Sequence, residues 1–346
     1  MTPSPTKALI IRFSSVGDIL LSTLLIRTFR SRFPGCQLDF LVKDQYAELV
    51  RYNPNLSEVI SFLPGGSFGD LLRLKSTIRA ARYDLIIDIH DSLRSRFLTL
   101  GHRETVRVNK RKTARFLLIK TGVDVYSHFG GAPPVAERYL ETVKHLGVSD
   151  DQKGLEIFFP EETKTGIESR FGLKTEMVGV APGSLHKNKM WPADRFAQTA
   201  IRIAKEKRMG ILLFGSGKDR EPCDAIENRV RAEAPEIRVE NTAGQTSLLE
   251  AAALVDHCAI VLTNDSGLMH LAAARKRKVL AVFGPTVRQF GFFPVGAANV
   301  VVEHSALSCR PCTHIGLETC PRGHFKCMME ISSETAIAAA RNLLNS

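Results

Sequence analysis

The chain has no run of about 18 apolar residues, so it encodes no transmembrane helix. The opening stretch, Met1-Thr2-Pro3-Ser4-Pro5-Thr6-Lys7 and the few residues that follow before Arg12, lacks the apolar core of a secretory signal, and the chain is expected to stay in the cytoplasm. The first strand-to-helix turn carries neither G-x-G-x-x-G nor a Walker lysine, which removes support for a dinucleotide fingerprint or a P-loop there. The densest basic stretch, residues 94–120, has only Phe97 and Phe116 as aromatics, too few for the stacking platforms that bind bases.

What is present fits a globular protein of two domains. At 346 residues the chain exceeds the size, roughly 250–300 residues, at which one core usually stops growing. Apolar content of 44% and charged content of 24% are ordinary. The net charge of +11 comes from 47 basic and 36 acidic side chains. Its dense part holds Arg94, Arg96, Arg103, Arg107, Lys110, Arg111, Lys112, Arg115 and Lys120 against Glu104 alone. Such a surface suits nucleic acid, an anionic membrane face or a phosphorylated or acidic substrate, or it serves solubility alone.

Taken in order, apolar runs at 8–11, 37–42, 58–62 and 83–89 alternate with helical patterns at 19–27, 45–52 and 69–82. Repeated βα units of this length predict a parallel, doubly wound sheet. Polar residues gather where strands end. Ser15, Gly17 and Asp18 follow the first strand, and His90, Asp91, Arg94 and Arg96 follow the fourth, on the rim where open α/β sheets place ligands. The pattern loosens around 147–176, which puts the boundary between an N-terminal domain, 1–172, and a C-terminal one, 173–346. A second series follows, with strands at 177–181, 210–214, 259–264 and 279–283, and Pro192 opens a helix.

The most informative stretch runs from Ala259 to Ala274, where an apolar β-branched strand passes into Asn264-Asp265-Ser266-Gly267 and then a helix. A helix N-terminus can receive a phosphate on its free amides, with Asp265 facing hydroxyls. Asp265 or Ser266 can equally serve as an N-cap.

Ser14-Ser15-Val16-Gly17-Asp18-Ile19-Leu20, Lys189-Met190-Trp191-Pro192, Asn264-Asp265-Ser266-Gly267-Leu268-Met269-His270 and Gly284-Pro285-Thr286 resemble, in order and spacing, the heptosyltransferase family of bacterial lipopolysaccharide synthesis. The resemblance spans essentially the whole chain. It implies a GT-B architecture of two Rossmann-like domains with a cleft between them, and inverting, metal-independent transfer of heptose from ADP-heptose without a cofactor. It assigns the general base to Asp18, the diphosphate to Lys189 and Ser184, and donor contacts to Asp265, Ser266, Gly267, Leu268 and His270. Asp219 falls near the family's ribose contact and Thr246 near its adenine pocket. Ser15, Gly17, His90, Arg94 and Arg96 fall on the acceptor side. There the family often has a glutamine and a small residue where this chain has His90-Asp91. The implied partners are an ADP-sugar, a lipid-linked anionic saccharide and the cytoplasmic face of the inner membrane, with no nucleic acid.

Seven cysteines are present, Cys36, Cys223 and Cys258 scattered and Cys309, Cys312, Cys320 and Cys327 clustered, with His314 and His324 among them. The cluster's spacing departs from the paired C-x-x-C of zinc ribbons. Reduced thiols are the favoured reading, with a structural metal and a disulfide as alternatives. The alanine-rich tail, Glu334 to Leu344, is expected to form a helix able to pack back on the first domain.

Overall fold

The computed structural model describes residues 4–63 and 67–346, so Met1, Thr2 and Pro3 of the N-terminal stretch read above lie outside it. Contacts divide the chain into two units: residues 1–110 with 135–158, and residues 111–134 with 159–346. The expected division at 172/173 puts 111–134 and 159–172 in the N-terminal domain, whereas contact grouping puts both segments with the second unit.

The first unit contains β1 (Lys7–Ile11), α1 (Val16–Arg32), β2 (Gln37–Lys43), α2 (Glu48–Arg51), β3 (Glu58–Phe62), α3 (Phe68–Ala80), β4 (Leu85–Asp88), α4 (Leu93–Leu98) and β5 (Thr105–Arg107). The chain then enters the second unit for α5 (Lys112–Thr121) and returns for α6 (Val135–Glu141). The strands form a parallel sheet in the order β3-β2-β1-β4-β5. Because β1 is buried on both faces its sequence, Lys-Ala-Leu-Ile-Ile, is apolar without alternation, as parallel strands covered by helices require. Helix α1 is buried along most of its length, and Ser22 and Thr23 are accommodated by donating their hydroxyls to the carbonyls of Ile19 and Leu20. Its Arg27 is half of a network with Asp151 and Glu156, both 2.7 Å away, which fastens the segment before the second crossing.

The second unit continues with α7 (Glu161–Phe171), β6 (Met177–Ala181), α8 (Ala193–Lys207), β7 (Gly210–Leu213), α9 (Arg220–Glu233), β8 (Val239–Asn241), α10 (Leu248–Val255), β9 (Cys258–Asn264), α11 (Gly267–Ala274), β10 (Lys278–Phe283), β11 (Asn299–Glu303), α12 (Lys326–Met329) and α13 (Ser333–Asn345). Its parallel sheet runs β11-β10-β9-β6-β7-β8. The tail helix α13 lies against α8 and strands β9 to β11 of this same unit. Ala336, Ala340 and Leu343 join a core that includes Val178, Phe196 and Leu280.

Both sheets reverse direction at one place. The chain winds from β1 outward to β3 and then returns to β4 on the other side of β1; in the second sheet it winds from β6 to β8 and returns to β9 beside β6. At such a switch point the connections leave the two central strands in opposite directions and open a crevice at their carboxyl ends. The switch points lie between β1 and β4, and between β6 and β9.

Candidate functional site

The first switch point gathers an ionised acid and its partners. Asp18 is the third residue of α1, so the helix start fixes it just beyond the end of β1. Its Oδ2 accepts from the Ser15 hydroxyl at 2.9 Å and from the Ser15 amide at 3.3 Å, and pairs with Arg12 Nη2 at 2.8 Å. Oδ1 accepts from the Tyr139 hydroxyl at 3.2 Å. Burial alone would raise this carboxyl, but Arg12, Ser15 and Tyr139 together outweigh it and hold Asp18 below the ordinary carboxylate value. The side chain still keeps 17% of its surface exposed. Asp18 therefore closes the capping box of α1 with Ser15 and remains a reachable carboxylate.

His90 follows β4 at the same switch point and stacks on Phe13, with ring centroids 4.5 Å apart. Burial, then the charges of Arg12 and Lys110, push its imidazole down to about 3, so it is neutral at physiological pH. Its amide and that of Asp91 are turned inward to the buried Asp88, at 3.1 and 2.8 Å. Asp91 holds Arg96 at 2.7 Å, so this arginine is committed to a local ion pair, while Arg94, in the first turn of α4, is exposed. Gly17 is buried behind Asp18 and Ser15 is exposed. Of the basic run, Arg94, Arg96, Arg103, Arg107 and Lys110 belong to the first unit, and Arg111, Lys112, Arg115 and Lys120 to the second.

The second switch point is built by the loop after β6 and the turn after β9. Asn264 staples the two: its side chain accepts from the Trp191 amide at 3.0 Å and donates to the Pro182 carbonyl at 2.7 Å. Lys189 Nζ then stands 2.6 Å from Asp265 Oδ2, which also accepts from the Thr286 hydroxyl at 2.8 Å. Both charges are nearly buried, and a lysine head with three donors keeps protons to spare after one such pair. Burial, with the positive charges of Arg115 and Lys189, pushes His314 down to about 4. Ser266 stands at the N-cap position of the eight-residue α11 without a side-chain bond to the helix amides, its hydroxyl 3.2 Å from that of Thr263; Gly267 and Leu268 are the half-buried first turn, and His270 is buried further along.

Asp219 accepts from both the amide and the hydroxyl of Ser216, at 2.8 and 2.7 Å. It stands so close to the β6 loop that a Cβ on Gly183 would lie 2.1 Å from its Oδ1. Ser184, next to that glycine, is half-buried. Thr246 sits half-buried in the loop before α10, whose Gly244 packs on Gly217 in the turn that carries Asp219. The residues expected on the donor side thus fall in the β6, β7, β8 and β9 connections of one sheet. Arg12, Tyr139, Asn264 and Thr286 complete these arrangements, and the sequence alone assigns none of them a role.

The four clustered cysteines are free thiols, with burial pushing Cys327 up to about 11. Among the described residues no group of three or more His, Cys, Asp or Glu is arranged to hold a metal ion, and no helix is long and apolar enough to cross a membrane.

A family model for glycosyltransferase family 9 (heptosyltransferase) matches residues 71–321. The chain belongs to this family. It is accordingly a glycosyltransferase, and its two parallel-sheet domains are of the GT-B type. Lipooligosaccharide heptosyltransferase 2 of Haemophilus influenzae is 28% identical across 97% of this chain and 99% of its own length. Lipopolysaccharide heptosyltransferase 2 of Salmonella typhimurium is 30% identical across 82% of this chain and 84% of its own. Among solved structures, the ADP-heptose lipopolysaccharide heptosyltransferase II of E. coli superposes with a TM-score of 0.75 at 25% identity, covering 98% of both chains.

Proposed function

We propose that this family 9 enzyme transfers heptose from ADP-heptose to the inner core of lipopolysaccharide, with inversion at the anomeric carbon and without a metal. The observation that carries the reading is Asp18, an ionised and still reachable carboxylate at the carboxyl end of β1, at a switch point of its sheet. An attacking hydroxyl must lose its proton as the new glycosidic bond forms, and a carboxylate within hydrogen-bond reach accepts it. As the bond to the diphosphate breaks, negative charge builds on the leaving ADP. Lys189 and Ser184 meet that charge, aided by the amides of Ser266, Gly267 and Leu268 at the start of α11. In this reading Asp265 grips sugar hydroxyls, Asp219 the ribose, and the loop of Thr246 the adenine, while His270 supports α11 from within.

The acceptor belongs to the first unit in this reading, next to Ser15, Gly17 and His90. Arg94 and Arg96 face its anionic groups or the anionic surface of the cytoplasmic leaflet, which would keep the enzyme peripheral on the inner membrane. Asp18→Ala tests the reading: transfer should be abolished while ADP-sugar binding stays near that of the unaltered enzyme. Retained turnover would remove Asp18 from the mechanism. Transfer assayed across a panel of nucleotide sugars and truncated core acceptors identifies both substrates, and a preference for a donor other than ADP-heptose would correct the donor assignment.

A further inference from the structure

The two oxygens of Asp18 are not equivalent. Oδ2 meets three donors, the Ser15 hydroxyl at 2.9 Å, the Ser15 amide at 3.3 Å and Arg12 Nη2 at 2.8 Å, and a carboxylate oxygen has two lone pairs to offer. Oδ1 meets one donor among the described residues, the Tyr139 hydroxyl at 3.2 Å, and keeps a lone pair open. The donors are themselves fixed. Arg12 donates Nε to the Ser14 carbonyl at 2.7 Å and Nη1 to the Ile89 carbonyl at 2.8 Å, so all three arms of its guanidinium are engaged at the ends of β1 and β4. Tyr139 comes from α6, 2% exposed, with its ring 5.8 Å from the Arg12 guanidinium carbon.

We propose that Arg12 and Tyr139 are positioning residues that lock the Asp18 carboxylate so that Oδ1 receives the acceptor proton. The proposal rests on Asp18 being the base. Arg12 anchors one oxygen and Tyr139 the other, which leaves the carboxylate no free rotation about its last bond. The proton then has one landing place, and the acceptor hydroxyl has one angle of approach. Loss of either donor would let the carboxylate turn and would also remove support for its ionised form. The other charged and titratable groups acting on this cluster are the buried Arg138, next to Tyr139 on α6, His90, which is neutral, Lys110 and Lys43, whose charges act on His90, and the buried Asp88 near Arg12. None of these changes when Tyr139 loses its hydroxyl, so a pH profile isolates that one hydrogen bond.

The test is Tyr139→Phe, which keeps the ring and its packing, beside Arg12→Lys, which keeps the charge but not the fork. For Tyr139→Phe, kcat should fall about tenfold with the donor KM unchanged, and the acid limb of kcat should move up by roughly half a pH unit or more. Arg12→Lys should shift the limb in the same direction. An unchanged kcat and acid limb in Tyr139→Phe, with Asp18→Ala inactive, overturns the lock and leaves the base in place. A lower kcat with an unmoved acid limb assigns Tyr139 to packing and also overturns the proposal. An active Asp18→Ala removes the base, and the lock with it.

Discussion

Lys189 and Asp265, 76 residues apart by numbering (265 − 189), meet at 2.6 Å with both side chains about one-tenth exposed. Removing one member of such a pair strands the other. Lys189→Met should cost about 3 kcal/mol of stability and abolish measurable ADP binding. Adding Asp265→Leu should recover part of that stability without recovering binding. Urea unfolding and calorimetric titration with ADP check the pair; a single variant as stable as the unaltered protein would show that the charges are not coupled.

Gly183 and Asp219 give a second expectation. An added Cβ would overlap the Asp219 carboxylate, which must then abandon one of its bonds from Ser216. Gly183→Ala should lower stability by about 1–2 kcal/mol and raise the donor KM more than the acceptor KM. Thermal melts and steady-state kinetics decide it, and a selective rise in acceptor KM would contradict the donor-side placement.

For His90 the direction with pH follows from burial. The folded protein holds its imidazole at about 3, whereas an unfolded chain would protonate near 6.5. Between those values the unfolded state binds the extra proton, so stability is full above 6.5 and declines as pH falls toward 3, by at most about 1.4 kcal/mol per pH unit from this residue. His90→Gln should flatten that slope in urea unfolding measured over the same range. By the same token His90 cannot produce an inflection in activity between pH 5 and 8, and one that disappears in His90→Gln would refute its neutral state.

Arg94 is exposed and unpaired among the described residues, while Arg96 is tied to Asp91. Arg94→Glu should therefore raise the KM for an anionic acceptor several-fold at low salt, with the effect shrinking above about 0.3 M salt as screening shortens the reach of the charge. Arg96→Gln should act less on KM, because its charge is already balanced. Equal, salt-independent effects would argue against electrostatic capture.

The strands were legible in the sequence because parallel strands covered on both faces are short apolar runs, and Met177–Ala181 and Glu58–Phe62 appear with the bounds their patterns suggested. The ligand-binding rims were legible because small and polar residues interrupt those runs where chain direction changes. Less visible were short or polar elements such as β5 and β8, three residues each, which owe their place to a neighbouring strand rather than to their own pattern. Tyr139 carried no signal, since its contact with Asp18 joins positions 121 apart and nothing in the helix around it marks one tyrosine as special. Arg12 stood beside the motif, but its meaning depends on the carbonyls of Ser14 and Ile89, which only folding brings into range. The helix at 112–121 looked like part of a basic face, and its membership in the second unit depends on an apolar side shared with Phe290.

The excursion of 111–134 into the second unit shapes how the chain folds during synthesis. As the chain leaves the ribosome, the first unit has all its strands by Arg107 and waits only for 135–158, yet Ala114, Leu118 and Tyr126 must remain without their partner until Phe290 is made. At roughly 5–20 residues per second the interval is about ten to thirty seconds. Throughout it, the apolar side of a helix that also carries Lys112, Arg115 and Lys120 stays uncovered, the segment on which a nascent-chain chaperone would have most to protect.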